Sequence, residues 1–213
     1  MSMDNKGYYD FDIEIESLLI QNGMISELFY LKDLQQRKLF INEDINQGSV
    51  IDPVKRILQF NKEDMGIPVE SRVPILLYVT SNGGEAQPGI ELIDTILTSV
   101  TPVYTINLGF QYSMGFLIGL AGHKRFAMPN ATFLMHDGSS VMYDSGAKLQ
   151  DRMEFNQRVE ERIKSYVLSR TKVTAEEYDS KFRVEWYMFA DEAKEKGITD
   201  YIIGTDCSMN TIV

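Results

Sequence analysis

From residue 37 onward, short apolar runs alternate with stretches of helical periodicity. That alternation predicts strands that cross over through helices in a mostly parallel sheet. KLFIN at 38–42 reads as the first of these strands. PILLYVT at 74–80 is apolar on both faces, as a fully buried strand requires, with Pro74 at the first position, where a missing N–H donor does no harm. SNGG at 81–84 then breaks the chain. Over 86–99, Ile90, Ile93, Ile96 or Leu97, and Val100 recur at helical spacing, and PVYTIN at 102–107 predicts the next buried strand.

Beyond it the pattern continues. An apolar stretch, FLIGLAG, follows Ser113 as a core helix; GHKRFAMPN (122–130) reads as a loop and ATFLMH (131–136) as a strand that carries His136 to its C-terminal end. Catalytic groups of open α/β sheets collect at that edge. A long amphipathic helix is predicted over about 146–170, with Leu149, Met153, Val159, Ile163 and Val167 near one face and charges on the other. Thr174 and Glu177 have the spacing of a capping box for a short helix at 175–181. VEWYMF (184–189) predicts an aromatic strand, Asp191 the cap of a helix ending at Gly197, and ITDYII (198–203) the last strand. Residues 1–35 are polar and acidic, an N-terminal arm or axial segment ahead of a domain at 36–213, and the alternation over 11–16 has the period of an edge strand.

At 213 residues and 44% hydrophobic composition, the chain can bury one substantial core. A formal charge of −10 argues against a nucleic-acid partner, because phosphate binding needs clustered Lys and Arg. The longest apolar run, about 114–121, falls well short of the ~20 residues that cross a membrane. One cysteine, Cys207, offers no internal disulfide, and the acidic opening has none of the character of a secretory leader; the expectation is a cytoplasmic protein.

With two histidines in the chain, a neutral-pH imidazole base must be His123 or His136. Hydrolysis of an amide needs a nucleophile, such a base, and donors aimed at the developing oxyanion. Ser113 stands at the start of a buried helix, His136 ends a strand, and the Gly83–Gly84 turn with the N–H of Met114 could form the oxyanion site. Each has an ordinary reading as well: an N-cap serine, a structural histidine, a plain turn.

In this order and with these flanks, the residues resemble one family from about Phe29 to Gly204. RKLFI, LYVTSNGG, GFQYSMG, AGHKRFAMPNA, LMHDG and FADEAKEKGITDYI are similar to the corresponding segments of ClpP, the proteolytic subunit of the Clp protease, as in a divergent member. The Gly-x-Ser-x-Gly of α/β-hydrolases is absent. The resemblance implies an α/β crotonase-like fold, a superhelix of repeated β-β-α turns with 146–170 as a protruding handle helix. It implies a homo-oligomer of two stacked heptameric rings, a tetradecamer enclosing the active sites, which receives unfolded polypeptides from a Hsp100-class AAA+ unfoldase. It assigns Ser113 as nucleophile, His136 as base and the N–H groups of Gly84 and Met114 as the oxyanion hole of a serine endopeptidase, with no cofactor and no metal.

The sequence departs from the family where the third member of the triad belongs. The family's aspartate falls ten residues after Thr171 and twelve before Ala193, and both counts land on Lys181. A lysine can neither hold the imidazole's tautomer nor stabilise its cation. Asp179, two positions earlier, lies nearly opposite on a helix, and Asp137 points away from His136 if the strand continues. Asn82 stands where the family has proline before the two glycines, which would loosen the turn, and the N-terminal arm is longer than the family's. Three readings follow: a peptidase with weakened activity, a non-catalytic or regulatory ring subunit, and, ranked last, an acyl-CoA enzyme of the crotonase kind.

Overall fold

All five residues of Ile75–Val79 are buried, which a strand achieves only with layers on both of its faces. The computed structural model describes residues 13–138, 145–181 and 183–212. In chain order they form α1 (Ile13–Gln21), α2 (Ile25–Gln35), β1 (Lys38–Ile41), α3 (Gln47–Glu63), β2 (Ile75–Val79), α4 (Ala86–Thr98), β3 (Val103–Asn107) and β4 (Phe110–Tyr112). There follow α5 (Met114–Leu120), β5 (Lys124–Ala127), β6 (Thr132–Met135), α6 (Gly146–Arg170), α7 (Ala175–Lys181), β7 (Trp186–Phe189), α8 (Ala190–Glu195) and β8 (Tyr201–Ile202).

The main sheet runs β1-β2-β3-β5-β8, all parallel. Alternation along β2 sends Ile75, Leu77 and Val79 into the larger core, beside Ile57, Leu92, Ile96, Phe116 and Ile118 of the helices. Leu76 and Tyr78 take the other face, where Ile106, Phe126, Ile203 and Ile212 cover them and the Tyr78 hydroxyl donates to the Ile212 carbonyl. Both faces of the strand are thereby dry. Among the described residues, no helix is long and apolar enough to cross a membrane.

Four expectations need correction. The described part of 11–16 begins α1, a helix, rather than an edge strand; residues 11 and 12 lie outside the described residues. The stretch read as a loop at 122–130 contains β5, an inner strand between β3 and β8, whose exposed Lys124 and half-buried Arg125 masked its apolar end. The strand carrying His136 belongs to a second sheet, β4-β6-β7, in which β4 and β6 are parallel and β7 is antiparallel. The three residues of β4 are too few to give a period. Finally, α8 begins at Ala190, so Asp191 lies inside it; the Glu192 carboxylate accepts from the Phe189 N–H at 2.9 Å, while Gly197 ends the turn at φ +69° as expected.

The handle helix spans 146–170 as predicted, but of its residues Val167 alone is buried among those described. Its C-terminal end docks on α5. Tyr166 donates to the Leu117 carbonyl at 2.9 Å, and Arg170 donates to the Leu120 and Gly122 carbonyls at 3.0 and 2.5 Å. These bonds satisfy carbonyls that the end of α5 leaves without intrahelical partners. Toward its other end Met153 and Phe155 stand exposed.

One buried ion pair ties the α2–β1 corner to the core. Arg37, held at φ +55°, donates to both Asp64 oxygens at 2.6 and 2.7 Å, with side-chain exposures of 9% and 3%. Arg37 also donates to the Val73 carbonyl, and the Thr101 hydroxyl donates to Asp64. One carboxylate therefore joins the end of α3 to the approaches of β1, β2 and β3. Burial pushes the Asp64 carboxyl up, but the bonds from Arg37 and Thr101 and the charges of Arg37 and Arg72 outweigh it and hold it below the ordinary carboxylate range. A carboxyl lowered on folding stabilises the fold above its unfolded pKa of about 3.9, and that contribution is lost as pH falls through the folded value. Asp64→Asn, which leaves the guanidinium buried without its counter-ion, should cost about 3–5 kcal/mol in urea unfolding at pH 7 and should flatten the fall of stability below about pH 4.

Candidate active site

Beyond β2 the chain turns through Ser81–Gly84 into α4. Ser81 is 2% exposed and is pinned to β4: its N–H donates to the Phe110 carbonyl at 3.2 Å, and its carbonyl accepts from the Tyr112 N–H at 2.9 Å. Its hydroxyl accepts from the Gly83 N–H at 3.1 Å. On the other side, the Ile45 N–H donates to the Gly83 carbonyl at 2.7 Å, and the Glu85 N–H donates to the Ile45 carbonyl at 2.8 Å. These bonds flank Gly84 and leave its own N–H outside the bridge. The turn is thus anchored from two directions, with Asn82 exposed between the anchors and no proline needed.

Both glycines are required twice over. Gly83 and Gly84 sit at φ +105° and +146°, where a side chain is strained. A Cβ on Gly83 would lie 2.6 Å from the Ser113 Cβ and 3.0 Å from the Met114 nitrogen; one on Gly84 would lie 2.2 Å from the Ile45 carbonyl oxygen. The glycine turn and the serine turn are therefore in van der Waals contact.

Ser113 itself is held at φ +52°, ψ −119°, a conformation that costs about 1–3 kcal/mol outside glycine. Its N–H donates to the Leu134 carbonyl at 3.0 Å, tying it to β6, and its carbonyl accepts from the Leu117 N–H to start α5. The hydroxyl makes no capping bond, so the ordinary explanation of a serine at this place does not apply. Met114 is the first residue of α5, whose N–H has no partner within the helix.

Ser113, Met114, Gly84 and His136 line one cleft of about 1160 Å³. Ile45, Phe116, Leu117 and Met135 form apolar parts of its wall, and α6 contributes Asn156, Val159, Ile163 and Val167, one helical face, from the other side. Val167 belongs to the core and Ile163 packs against it, and both also line the cleft. His136, half-buried, follows the last residue of β6, and no hydrogen bond reaches its ring among the described residues. His123 lies elsewhere, at the start of β3, where its Nδ1 accepts from the Val103 N–H at 3.1 Å and burial pushes its pKa down. Of the two histidines, the cleft takes His136.

Neither candidate for the third member lines the cleft. The Lys181 ammonium stands 5.9 Å from the centre of the Trp186 ring, and Asp179 is paired with Lys164 at 2.5 Å on the surface. Asp137 is exposed. From α7 the cleft receives Tyr178 instead, 3% exposed, whose phenol is pushed up to about 12 by burial, with the charges of Asp179 and Glu160 adding to it. Neither Tyr178 nor Ser81 carries a sequence signal: a buried aromatic on a short helix reads as core, and the role of Ser81 is a fold-level bond between two turns. Among the described residues, no group of three His, Cys, Asp or Glu side chains is placed to hold a metal ion.

The sequence profile of the Clp protease family matches residues 22–206. The chain is 31% identical over 176 residues to ATP-dependent Clp protease proteolytic subunit 1 of Streptomyces avermitilis, covering 80% of this chain and 76% of that protein. It is 31% identical to proteolytic subunit 3 of Streptomyces coelicolor, with the same coverage, and 27% identical to proteolytic subunit 1 of Bacillus cereus, covering 82% of this chain and 88% of that protein.

Because the Gly83 backbone touches the serine turn, Gly83→Ala should move Ser113 and Met114 apart from Gly84. It is expected to lower stability by about 1–3 kcal/mol in chemical denaturation and to abolish labelling of Ser113 by a fluorophosphonate in the fraction that remains folded.

Proposed function

The chain belongs to the Clp protease family, and we propose that it is a serine endopeptidase core subunit whose nucleophile is Ser113. The observation that carries this reading is the backbone of Ser113: a strained φ of +52°, kept in contact with a glycine turn, with the hydroxyl spared from capping. Strain retained at a cleft-lining residue is the mark of a position held for chemistry. In this reading Ser113 Oγ attacks the scissile carbonyl while His136 takes its proton, and the N–H groups of Gly84 and Met114 receive the oxyanion. His136 then gives the proton to the leaving amine, and water repeats the cycle to release the acyl group.

Lys181 sets the rate expected of this site. Without a carboxylate on His136, its tautomer is unfixed and its cation is stabilised less; loss of the acid from a Ser-His-Asp triad costs about 10⁴ in kcat. Acylation and deacylation both pass a proton through His136, so both steps are expected to be slow. Lys181 also favours the second reading, a non-catalytic or regulatory subunit that shares a ring with a complete one. In either reading the assembly is two stacked heptameric rings in the cytoplasm, with α6 as the handle between rings and residues 1–35 as the axial arm ahead of a peptidase domain at 36–213. A Hsp100-class AAA+ unfoldase delivers unfolded polypeptides, and neither nucleic acid nor membrane takes part.

A fluorophosphonate should label Ser113, identified by peptide mass mapping, and should fail on Ser113→Ala. Absence of labelling between about pH 6 and 9 would leave the non-catalytic reading in possession. Lys181→Asp should raise peptide turnover by about 10²-fold or more, up to the 10⁴ that the acid supplies elsewhere; unchanged turnover would show that position 181 is not where the acid acts.

A further inference from the structure

The Gly84 N–H belongs to the same peptide unit as the Gly83 carbonyl, and a planar trans unit points the two in opposite directions. The Ile45 N–H holds that carbonyl at 2.7 Å, so the Gly84 N–H is turned away from Ile45. One bond does not fix the rotation of the unit. Gly83 and Gly84, at φ +105° and +146°, have no side chains to pack, and a glycine backbone rotates at little cost. The second hold comes from Ser81. Its buried hydroxyl accepts from the Gly83 N–H at 3.1 Å and reaches the Gly83 carbonyl at 3.5 Å, so one oxygen spans both polar groups of the residue that precedes the donor.

Ser81 is pinned where the glycines are not. Its own N–H and carbonyl pair with Phe110 and Tyr112 of β4, and α5 starts two residues after β4 ends. A Cβ on Gly115 would lie 3.0 Å from the Ser81 carbonyl oxygen and 3.1 Å from the Ser81 Cβ, which puts Ser81 against the first turn of α5, beside Met114. Ser81 is thus seated between the turn that carries the Gly84 N–H and the turn that carries the Met114 N–H. We propose that Ser81 is a positioning residue of the oxyanion site, whose hydroxyl holds Gly83 so that the Gly84 N–H keeps a fixed distance and direction relative to that of Met114. The proposal rests on the reading of Ser113 as nucleophile with those two N–H groups as donors, and adds the group that aims one of them. A serine hydroxyl that closes a tight turn is ordinarily a local stabiliser. The two roles separate in kinetics, because a misaimed donor is felt only as charge develops on the oxygen it faces.

Labelling of Ser113 in the full-length protein by an uncharged fluorophosphonate, followed over a range of probe concentrations, gives two quantities. The half-saturating concentration reports binding; the maximal rate reports the step in which negative charge develops on the phosphoryl oxygen. Ser81→Ala should lower the maximal rate of the folded fraction by about 10–10²-fold, short of the roughly 10²–10³ that deleting a donor costs, and should leave the half-saturating concentration within about threefold. Ser81→Cys keeps the shape of the side chain and offers sulfur, a weak acceptor; it should lower the maximal rate in the same direction and serves where the alanine variant fails to fold. Thr199→Val removes another buried hydroxyl, one that donates to the Arg125 carbonyl at 3.0 Å away from the cleft, and should lower stability without changing the maximal rate. A wild-type maximal rate in the Ser81 variants overturns the proposal, and so does a rise in the half-saturating concentration alone. An equal fall in Thr199→Val also overturns it, because lost stability would then be the cause. An unlabelled wild-type chain overturns the reading of Ser113 and the proposal with it, whereas a labelled wild type with indifferent Ser81 variants overturns the proposal alone.

Discussion

The contact on which the site depends is between two backbones. Gly83 meets Ser113 so closely that a single added carbon would lie 2.6 Å from the serine Cβ. That approach brings the turn after β2, in the five-stranded sheet, against the turn after β4, in the three-stranded one. The approach demands glycine at 83, while the close passage of Ile45 demands it at 84, and beside them stand the positive φ of Ser113 and the start of α5 at Met114. The stability of the surrounding core is what sustains a strained serine at the junction.

The core does so through two kinds of anchoring. Backbone bonds from Ser81 to Phe110 and Tyr112 join the two sheets at the point where the turns meet, and the bond from Ser113 to Leu134 holds the serine turn to the three-stranded sheet. Further away, Arg37 and Asp64 fix the corner from which β1 enters, and β1 leads to Ile45, which brackets Gly84 from the other side. The pair contributes to the site through position, by setting where the Asp44–Ile45 segment lies. A fully paired buried charge is a strong constraint on geometry even where its net contribution to stability is small.

The residues lining the cleft are divided between two of its faces. The serine, the imidazole and the main-chain donors come from the ends of strands and the turns beside them; the opposite wall is one face of α6. That helix is poorly buried along most of its length: Val167 alone among its described residues is buried, Ile163 packs against the same core, and with Val159 they face the cleft. The missing carboxylate belongs to the same division. Position 181 has turned its side chain toward Trp186, and the cleft takes Tyr178 from the preceding turn of the same helix.

Local pattern determined a good deal: the buried strands at 75–79 and 103–107, the helices at 86–98, 146–170 and 175–181, and the placement of Ser113 and His136 at element ends are all written in spacing that neighbouring residues create. Counting narrowed an imidazole base to two residues, and the family resemblance chose His136 and placed Lys181 where the acid belongs. What tertiary structure alone decided was pairing across distance. β4 and β5 are too short or too charged to show a period, yet partner strands complete their hydrogen bonds, and the split into two sheets depends on those partners. The meeting of Gly83 with Ser113 and the turning of Val159 toward a cleft have no local signal, because each is a contact between residues far apart in the chain, and only the folded backbone brings them within reach.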